Sequence, residues 1–315
     1  MNTIQVLAPG LQTTVQDLGR EGFGPIGVSL SGAADPISLR LGNRLVGNNE
    51  RAAGLEMMLL GGTFQFPEGA VVALTGSDFG ATLDAACIEM GISVEVQPGQ
   101  TIRLGPTNSG ARCYLCVQGG IAVEPFLGSA STHILSGLGG IEGRPLRKGD
   151  VLRIGSVAKN QSFRKRTLSP RASALFSDRR TLRVTPGPQI DRFSESSLRS
   201  FYAATYRLGE QSNRMGLRLE GSTITQRGTG QMITEGVSLG AIEAPPGGSP
   251  IILFVEQQTT GGYPKIANVI AADLHRIGQL RPRDEVRFQK VSFDEARSLL
   301  FEQEKLLASE GLILE

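Results

Sequence analysis

Short apolar or alternating runs, bounded by glycine, proline and polar turn residues, recur along most of the chain. This pattern predicts strands more often than helices. Ile4-Gln5-Val6-Leu7 is the first such run, closed by Pro9-Gly10. The stretches 61–66, 71–76, 92–96, 101–104, 111–117 and 150–154 repeat the pattern, and in the second half 250–255 and 266–270 do so. Between the first run and Gly22, Thr13 to Arg20 reads as polar and turn-rich. Four helices are expected. Asp35 is an N-cap with Pro36 at the first helical position, and Ile37, Leu41 and Leu45 make one apolar face before Gly47-Asn48 ends the helix. So short a helix, flanked by strands, suits a plug or lid on a barrel. A second is expected over 194–206 with Phe201 among its apolar residues, and a short one over 273–277. The last runs over 293–310. Ser292 and Glu295 form its capping box, Gly311 is its stop, and Phe293, Ala296, Leu299, Leu300, Leu306 and Leu307 are its docking face, toward its own chain or a partner.

The two halves resemble each other in order and spacing. Residues 6–12 match 184–189, 28–32 match 217–221, 61–76 match 240–256, and 98–104 match 282–288, at a nearly constant offset. Collinearity of this kind suggests a duplicated β unit; the alternative is coincidence among Gly- and Pro-rich turns. The expected organisation is a β domain over 1–155, a basic linker over 156–181, and a second β domain over 182–315 carrying the terminal helix. The linker holds Arg164, Lys165, Arg166, Arg171, Arg179 and Arg180 with Ser169-Pro170. It reads as a solvated segment or, more sharply, as a phosphate-binding patch.

Composition narrows the function classes. The 315 residues are 40% hydrophobic, with 41 glycines and no tryptophan, which fits tight turns in a β-rich protein with sizeable cores. A formal net charge of +2 gives no field that would draw nucleic acid or a membrane surface. Three cysteines argue against a disulfide framework and fit a reducing compartment. The start, Met1-Asn2-Thr3-Ile4-Gln5, lacks the basic and apolar regions of a signal peptide, and no apolar run reaches membrane-spanning length. The reading is a soluble, cytoplasmic protein.

Several familiar motifs are absent or misplaced. Gly22 to Gly27 has the letters of a dinucleotide fingerprint, but Pro25 and the following Val28-Ser29-Leu30 suggest extended chain where a helix must open. Cys113 and Cys116 have C-x-x-C spacing inside a strand, where residues three apart point to opposite faces, so they read as small core residues. Only two histidines exist, without metal-site spacing; His133 beside Ser131-Thr132 could serve as a base, although loop histidines usually do not. Nucleophile-elbow, Walker A and biotin-attachment motifs are missing from the sequence. One stretch stands out instead. After the apolar run 250–255 come Glu256-Gln257-Gln258-Thr259-Thr260-Gly261-Gly262-Tyr263-Pro264-Lys265. It reads as a Gly-Gly hairpin turn, or as a ligand loop in which the glycines allow close backbone approach while hydroxyls, amides and N–H groups converge on a carboxylate or amide.

Many residues carry a resemblance. Thr14 to Arg20, Gly27-Val28, Ser31 to Asp35, Leu45 to Asn48, Leu55-Glu56, Gln118 to Ile121 and Leu127 to Thr132 are among them. Gly149-Asp150, Gly187-Pro188-Gln189, Arg214 to Leu219, Glu235-Gly236 and Gln258 to Tyr263 continue the series in the same order. On these the chain resembles the KipA, or allophanate-hydrolase-subunit-2-like, family. That family includes one component of the bacterial ATP-dependent 5-oxoprolinase and part of the carboxyltransferase region of urea carboxylase. The resemblance implies a mostly β fold with a few short helices, in which two cyclophilin-like β-barrel halves arise by internal duplication. It implies two partner polypeptides, one KipI/PxpB-like and one YcsF/LamB-like, a small-molecule amide substrate, and neither nucleic acid nor membrane. It implies no cofactor bound by this chain alone, with ATP used by the complex to open the lactam of 5-oxoproline to glutamate. Two alternatives go with it: a biotin-dependent carboxyltransferase acting on urea or another amide, and a non-enzymatic KipI-binding antagonist of a kinase inhibitor. Candidate substrate-binding residues are Glu256, Gln258, Thr259, Thr260, Gly261, Gly262, Tyr263, Arg214 and Arg218, with Gln16, Asp17, Arg20, Gln118 and Ser131 in the other half. Three positions depart from the family pattern: Glu243 where Gln is frequent, and Glu256 and Asn213 where Asp is.

Overall fold

The computed structural model describes residues 2–157, 163–175, 180–228 and 232–315. Its strands and helices form two compact units, one of Met1–Arg20, Ser31–Ser177 and Ser309–Glu315, the other of Glu21–Leu30 and Asp178–Ala308. Each unit takes in a short segment from the far end of the other's sequence, across the domain limits expected above.

The first unit has two main sheets. One orders Ile121–Ala122, Val151–Ile154, Thr3–Ala8, Thr63–Gln65, Thr101–Arg103, Thr82–Leu83 and Ala86–Cys87. The other orders Gln12–Gln16, Gly54–Met58, Arg112–Val117, Ala70–Gly76 and Ser93–Val96. One core lies between them, where Ile4, Phe64, Ile102 and Leu152 of the first sheet meet Val15, Leu55, Leu74 and Leu115 of the second. Helix Pro36–Leu45 begins as expected, with the Asp35 carboxylate accepting from Ser38 N at 3.0 Å. It is not a plug. It lies on the other face of the five-stranded sheet, packing Leu39 and Leu45 on Ala73, Tyr114 and Cys116. Gly42 makes that approach possible, since a Cβ there would meet Cys116 Sγ at 2.6 Å. Cys113 and Cys116 therefore enter different apolar clusters, and burial pushes both thiols far up, leaving them inert.

Two expectations fail here for physical reasons. The segment expected to be polar turns, Thr13 to Arg20, is strand as far as Gln16, almost wholly buried, and irregular only from Asp17 onward. Most of its polar groups are bonded internally: Thr13 Oγ1 donates to Pro9 O at 2.5 Å, and Gln16 Nε2 to Thr14 Oγ1 at 3.0 Å and Thr132 O at 3.1 Å, while Gln16 Oε1 has no partner among the described residues. In the expected linker, Thr167–Leu168 is a strand paired with Ile313–Leu314, and Pro170–Ala174 is a helix capped by Ser169. Arg164 and Arg166 share the Glu315 carboxylate at 3.4 and 3.2 Å, so part of the positive charge read as a phosphate patch is offset by it. Arg179 lies outside the described residues.

The second unit closes a seven-stranded barrel: Thr181–Pro186, Lys265–Val269, Ala241–Glu243, Ile251–Leu253, Gly216–Glu220, Tyr206–Leu208 and Glu285–Lys290. The last strand returns to the first in parallel. Leu217, Ile252, Ile242 and Ala267 form one cross-strand row, all buried, and so mark the inward face. Helix Glu195–Ala203 stacks Phe201 on Phe288, with ring centroids 4.7 Å apart. Segment Gly24–Ile26 is a single 3-10 turn, so the glycine-rich letters around it open no helix.

The collinear halves are alike at the level of elements in three of the four matches; 28–32 is not a strand, whereas Gly216–Glu220 is. Pairing differs as well. Thr3–Ala8 pairs directly with Thr63–Gln65, whereas Thr181–Pro186 is separated from Ala241–Glu243 by Lys265–Val269. Hydrogen-bonded closure belongs to the second half, while the first arranges its strands as two sheets about a shared core.

The terminal helix is Phe293–Leu307, with Ser292 Oγ accepting from Glu295 N at 3.1 Å. Ala296 and Leu299 pack on Ile270, Ala272 and Val291 as expected, but Phe293 is exposed: at the first helical position it projects before the docking face begins. Replacing Ser292 with alanine is expected to destabilise the second unit by about 1 kcal/mol, because the N–H it caps loses its acceptor. Urea denaturation followed by far-UV circular dichroism reads this loss, the chain having no tryptophan to report.

Candidate functional site

Arg218, Ile251, Glu243 and Lys265 follow one another by cross-strand pairing over four adjacent barrel strands. Arg218, Ile251 and Glu243 alternate with the inward row and so stand on the barrel's outer wall, and Lys265 comes opposite Glu243 through a register shift between Ile242 and Glu243. The outward faces of barrels are normally solvated, yet Glu243 is 1% exposed and Lys265 3%. The cover is the segment singled out in the sequence. Thr260–Gly261 pairs as a short ladder with Glu235–Gly236, Val237 N donates to Thr259 O at 3.1 Å, and Gln257 Nε2 donates to Val237 O at 3.2 Å. Gly261 lies directly against Glu243, where a Cβ would come within 2.6 Å of Oε1. Glycine lets the backbone pass this closely over the Glu243 side chain, whose end a Cβ would push aside.

Under and beside this cover is a cavity of about 320 Å³, lined by Asn213, Arg218, Glu243, Leu253, Gln258 and Tyr263 among others. It adjoins a wider cleft of about 1040 Å³ that shares Arg218, Ile251 and Tyr263. In the wider cleft Arg207 is held by Glu220 at 3.0 Å and Arg283 by Glu210 at 2.5 Å, so its charges are largely matched at the surface. The smaller cavity holds the unusual chemistry. Glu243 Oε1 has no hydrogen-bond partner among the described residues, and Oε2 meets Gln258 Nε2 at 3.5 Å. Burial pushes this carboxyl above its ordinary range, against the weaker opposing pull of Lys265 and Gln258. Lys265 is engaged elsewhere: its Nζ lies 2.5 Å from Glu235 Oε1, which also accepts from Gln189 Nε2 at 2.6 Å. These two bonds hold the Glu235 carboxyl below the usual range. Arg218 is exposed and has no carboxylate partner among the described residues. The cavity is thus lined by an exposed guanidinium without a carboxylate partner among the described residues and by a buried carboxyl whose unbonded oxygen lies under Gly261.

Of the residues expected at a site, Arg218, Gln258 and Tyr263 line this cavity, and Gly261 packs on its carboxyl. Thr259, Thr260 and Gly262 belong to the covering segment and are not among the lining residues. Arg214 and Glu256 are bonded to each other, Nε to Oε1, with side chains 5% and 0% exposed. Glu256 N also donates to Arg214 O at 2.8 Å, so this pair anchors the base of the segment.

The candidates of the first unit form an interior lock. Asp17 accepts from Gly19 N at 2.8 Å, Ser129 Oγ at 2.7 Å and Ala130 N at 2.7 Å. Arg20 Nη2 donates to Ser131 O at 2.5 Å, and Ser129 and Ser131 share a 2.8 Å hydroxyl contact. Gln16, Arg20 and Ser131 are all buried, and their bonds pin the 126–132 loop to the strand end. Gln118 sits at the turn before Gly119, whose φ is +92° and whose N–H donates to Asn48 Oδ1 at 2.8 Å. His133 Nδ1 accepts from Ser136 N at 3.2 Å, a bond that shapes its own turn. Glu243, Lys265 and Glu235 are not among the residues expected at a site. Their meeting depends on strand register, and the sole local sign was the paired glycine of the covering segment.

Residues 26–290 match the family model described as carboxyltransferase domain, subdomain A and B. The C subunit of 5-oxoprolinase from Escherichia coli (strain K12) is 37% identical over 302 residues, covering 96% of each chain. Its counterpart of the same name from Haemophilus influenzae is 36% identical over 296 residues, covering 94% of each. Among solved structures, the urea amidolyase of K. lactis superposes with a TM-score of 0.91 at 34% identity. The match covers 99% of this chain and 20% of that one, so the chain spans about a fifth of the length of that protein.

Proposed function

The chain belongs to the carboxyltransferase domain (subdomain A and B) family, and from that premise we propose that it serves as the C subunit of an ATP-dependent 5-oxoprolinase. Its task there is to hold the lactam of 5-oxoproline while the ring is opened by water to glutamate. The reading is supported by two relatives named as C subunits of 5-oxoprolinase that align over nearly their whole length. The observation that carries it is the cavity on the barrel wall, where Arg218 and the buried Glu243 carboxyl face one space. Ring opening puts negative charge on the amide oxygen, and fixed donors in a water-poor site favour that charge. ATP is used by the assembled complex, whose other members are a KipI/PxpB-like and a YcsF/LamB-like polypeptide. The chain functions within that complex and not alone.

The likeness to the K. lactis urea amidolyase favours a second reading, a carboxyltransferase partner that moves carboxylate from carboxybiotin to an amide. Co-purification of the native complex separates the two. Glutamate formation from 5-oxoproline and ATP, without biotin or bicarbonate, is the result expected. Turnover that requires bicarbonate and a biotin carrier replaces the first reading with the second. A tight heterodimer that turns over neither substrate favours the KipI-binding antagonist.

Gly261→Ala probes the cover. Its Cβ would press on Glu243 Oε1 and, at 3.0 Å, on Val237 Cγ1, so the segment or the carboxyl must move. Moving the carboxyl or the segment is expected to lower turnover, by up to about 100-fold if the shift approaches an ångström. Thermal melting of the free chain should change little by comparison. Unchanged turnover would mean that the segment's seat on the wall is irrelevant to the reaction.

A further inference from the structure

Three glutamates are buried among the described residues, and their surroundings differ in one respect. Glu56 is bonded by Arg112 and by the Tyr114 hydroxyl. Glu256 is bonded by Arg214. Glu243 has no arginine, its nearest lysine is committed to Glu235, one oxygen lacks any hydrogen bond, and the other has a single long one. Burial without a bonded cation disfavours the ionised form and pushes this carboxyl up, against the weaker pull of Lys265 and Gln258. A neutral carboxyl is a different tool from a base or an anion. It presents one donor and one acceptor side by side on a single edge.

That edge has a natural complement. A peptide in its usual trans form points N–H and C=O in opposite directions. A lactam is held cis by its ring, so both groups lie on the same edge. The two edges join by a pair of parallel hydrogen bonds, carboxyl O–H to amide oxygen and amide N–H to carboxyl oxygen. Along the wall from Glu243, across Ile251, stands Arg218. Two inter-strand spacings, about 10 Å, separate their backbones, and both residues line the same cavity. Gly261 lies over Glu243 Oε1, so a ligand meets the full carboxyl edge only as the covering segment lifts from it. The apolar Ile251 lies midway.

We propose that Glu243 reads the N–H and C=O edge of a cis amide as a two-atom partner while Arg218 takes a carboxylate on the same molecule. The substrate class is therefore a cyclic amide bearing an acid group. Neutral amides such as urea satisfy only the Glu243 end. Donation to the amide oxygen also draws off charge as the carbonyl is attacked, so the contact strengthens along the reaction. The inference rests on the 5-oxoprolinase reading for the identity of the substrate, and on the cavity alone for the recognition chemistry.

The test compares Glu243→Gln, Glu243→Leu and Arg218→Met in the co-purified complex. Glutamine keeps a donor and an acceptor on one edge; leucine keeps neither. The expected result is that Glu243→Gln retains kcat/KM within a few fold, whereas Glu243→Leu loses about 100-fold or more, the usual cost of deleting such a donor. Arg218→Met is expected to raise KM for 5-oxoproline by roughly 10- to 100-fold, the scale of a lost charge-assisted bond. It should leave inhibition by 2-pyrrolidinone, the same lactam without its acid, unchanged. The pH profile adds a readout that a structural role would not move. Because the neutral form binds, wild-type activity should persist at low pH and fall as pH rises through the elevated Glu243 value; the glutamine variant should lose that limb. Melting curves of all three variants separate misfolding from lost recognition.

Glutamine and leucine variants that are equally inactive would overturn the proposal, since a base or an anion would then be required. Equal effects of Arg218→Met on both lactams would overturn the carboxylate assignment. If the wild-type complex fails to turn over 5-oxoproline, the functional reading falls by itself. Calorimetric titration of the full chain with 2-pyrrolidinone then decides the recognition chemistry: binding by wild type and Glu243→Gln but not Glu243→Leu sustains it, and no binding by wild type overturns it as well.

Discussion

Glu56→Ala is expected to cost the first unit about 3–5 kcal/mol, the range seen when one partner of a buried ion pair is removed. Glu56 is the hub of a buried polar network. Its Oε2 accepts from Ala34 N at 2.8 Å and Tyr114 OH at 2.7 Å, and its Oε1 from Arg112 Nε at 3.3 Å. Burial first, and Glu56 next, push the Tyr114 hydroxyl up, so it stays protonated and donates. Tyr114 OH in turn accepts from Asp35 N at 2.7 Å, at the cap of helix Pro36–Leu45. Alanine would leave the Arg112 charge, a backbone N–H and a hydroxyl without their acceptor together. Glu56→Gln, which keeps an acceptor but not the charge, should fall between. Denaturant titration by circular dichroism, with each unit allowed its own transition, measures both. A loss below about 1 kcal/mol for alanine would show that the network relaxes onto water or other partners, contrary to this account.

Arg214→Met should be of similar size, about 3–5 kcal/mol, and should fall on the second unit. Methionine leaves the Glu256 carboxylate fully buried without its guanidinium. The double variant Arg214→Met with Glu256→Met removes both charges and should recover most of the loss, because paired deletion of buried ions is often close to neutral. The pair also separates two roles for Arg214. As an anchor for the covering segment, it can be replaced together with Glu256 while KM in the complex stays near its wild-type value. As an anion-binding residue, it could not. A double variant that melts normally yet raises KM more than about tenfold, or about 1.4 kcal/mol, would return Arg214 to the substrate site.

The element content was legible in the sequence where the signal is local. Asp35-Pro36 and Ser292 with Glu295 announced two helix starts through side chains within a turn of the N–H groups they cap. The runs at 71–76 and 111–117 announced buried strands through apolar density alone. Strand Gln12–Gln16 was hidden because its polar side chains bond inside the protein with residues as distant as Thr132. The linker segment hid its strand because Thr167–Leu168 pairs with Ile313–Leu314, far along the chain. The same division holds for the site. The Thr-Thr-Gly-Gly-Tyr segment was visible as an oddity, and Arg218, Gln258 and Tyr263 do reach the cavity. Glu243 was visible only as a departure from a family pattern. Its importance comes from standing in register with Arg218 and Lys265 under Gly261, which no window of sequence contains. In the first half, Gln16, Asp17, Arg20 and Ser131 looked like site chemistry because buried polar networks and binding sites draw on the same residue types. Their bonds to one another and to Ser129, Ala130 and Thr132 account for their burial.

The direct test of the outer-wall site is a crystal structure of the assembled complex with 5-oxoproline bound. The ligand is expected against the barrel wall, its lactam edge on the Glu243 carboxyl and its carboxylate on Arg218, each at about 3 Å. A ligand held at Ser131 and Gln118 in the first unit, with Glu243 still sealed beneath Gly261 and untouched, would contradict it.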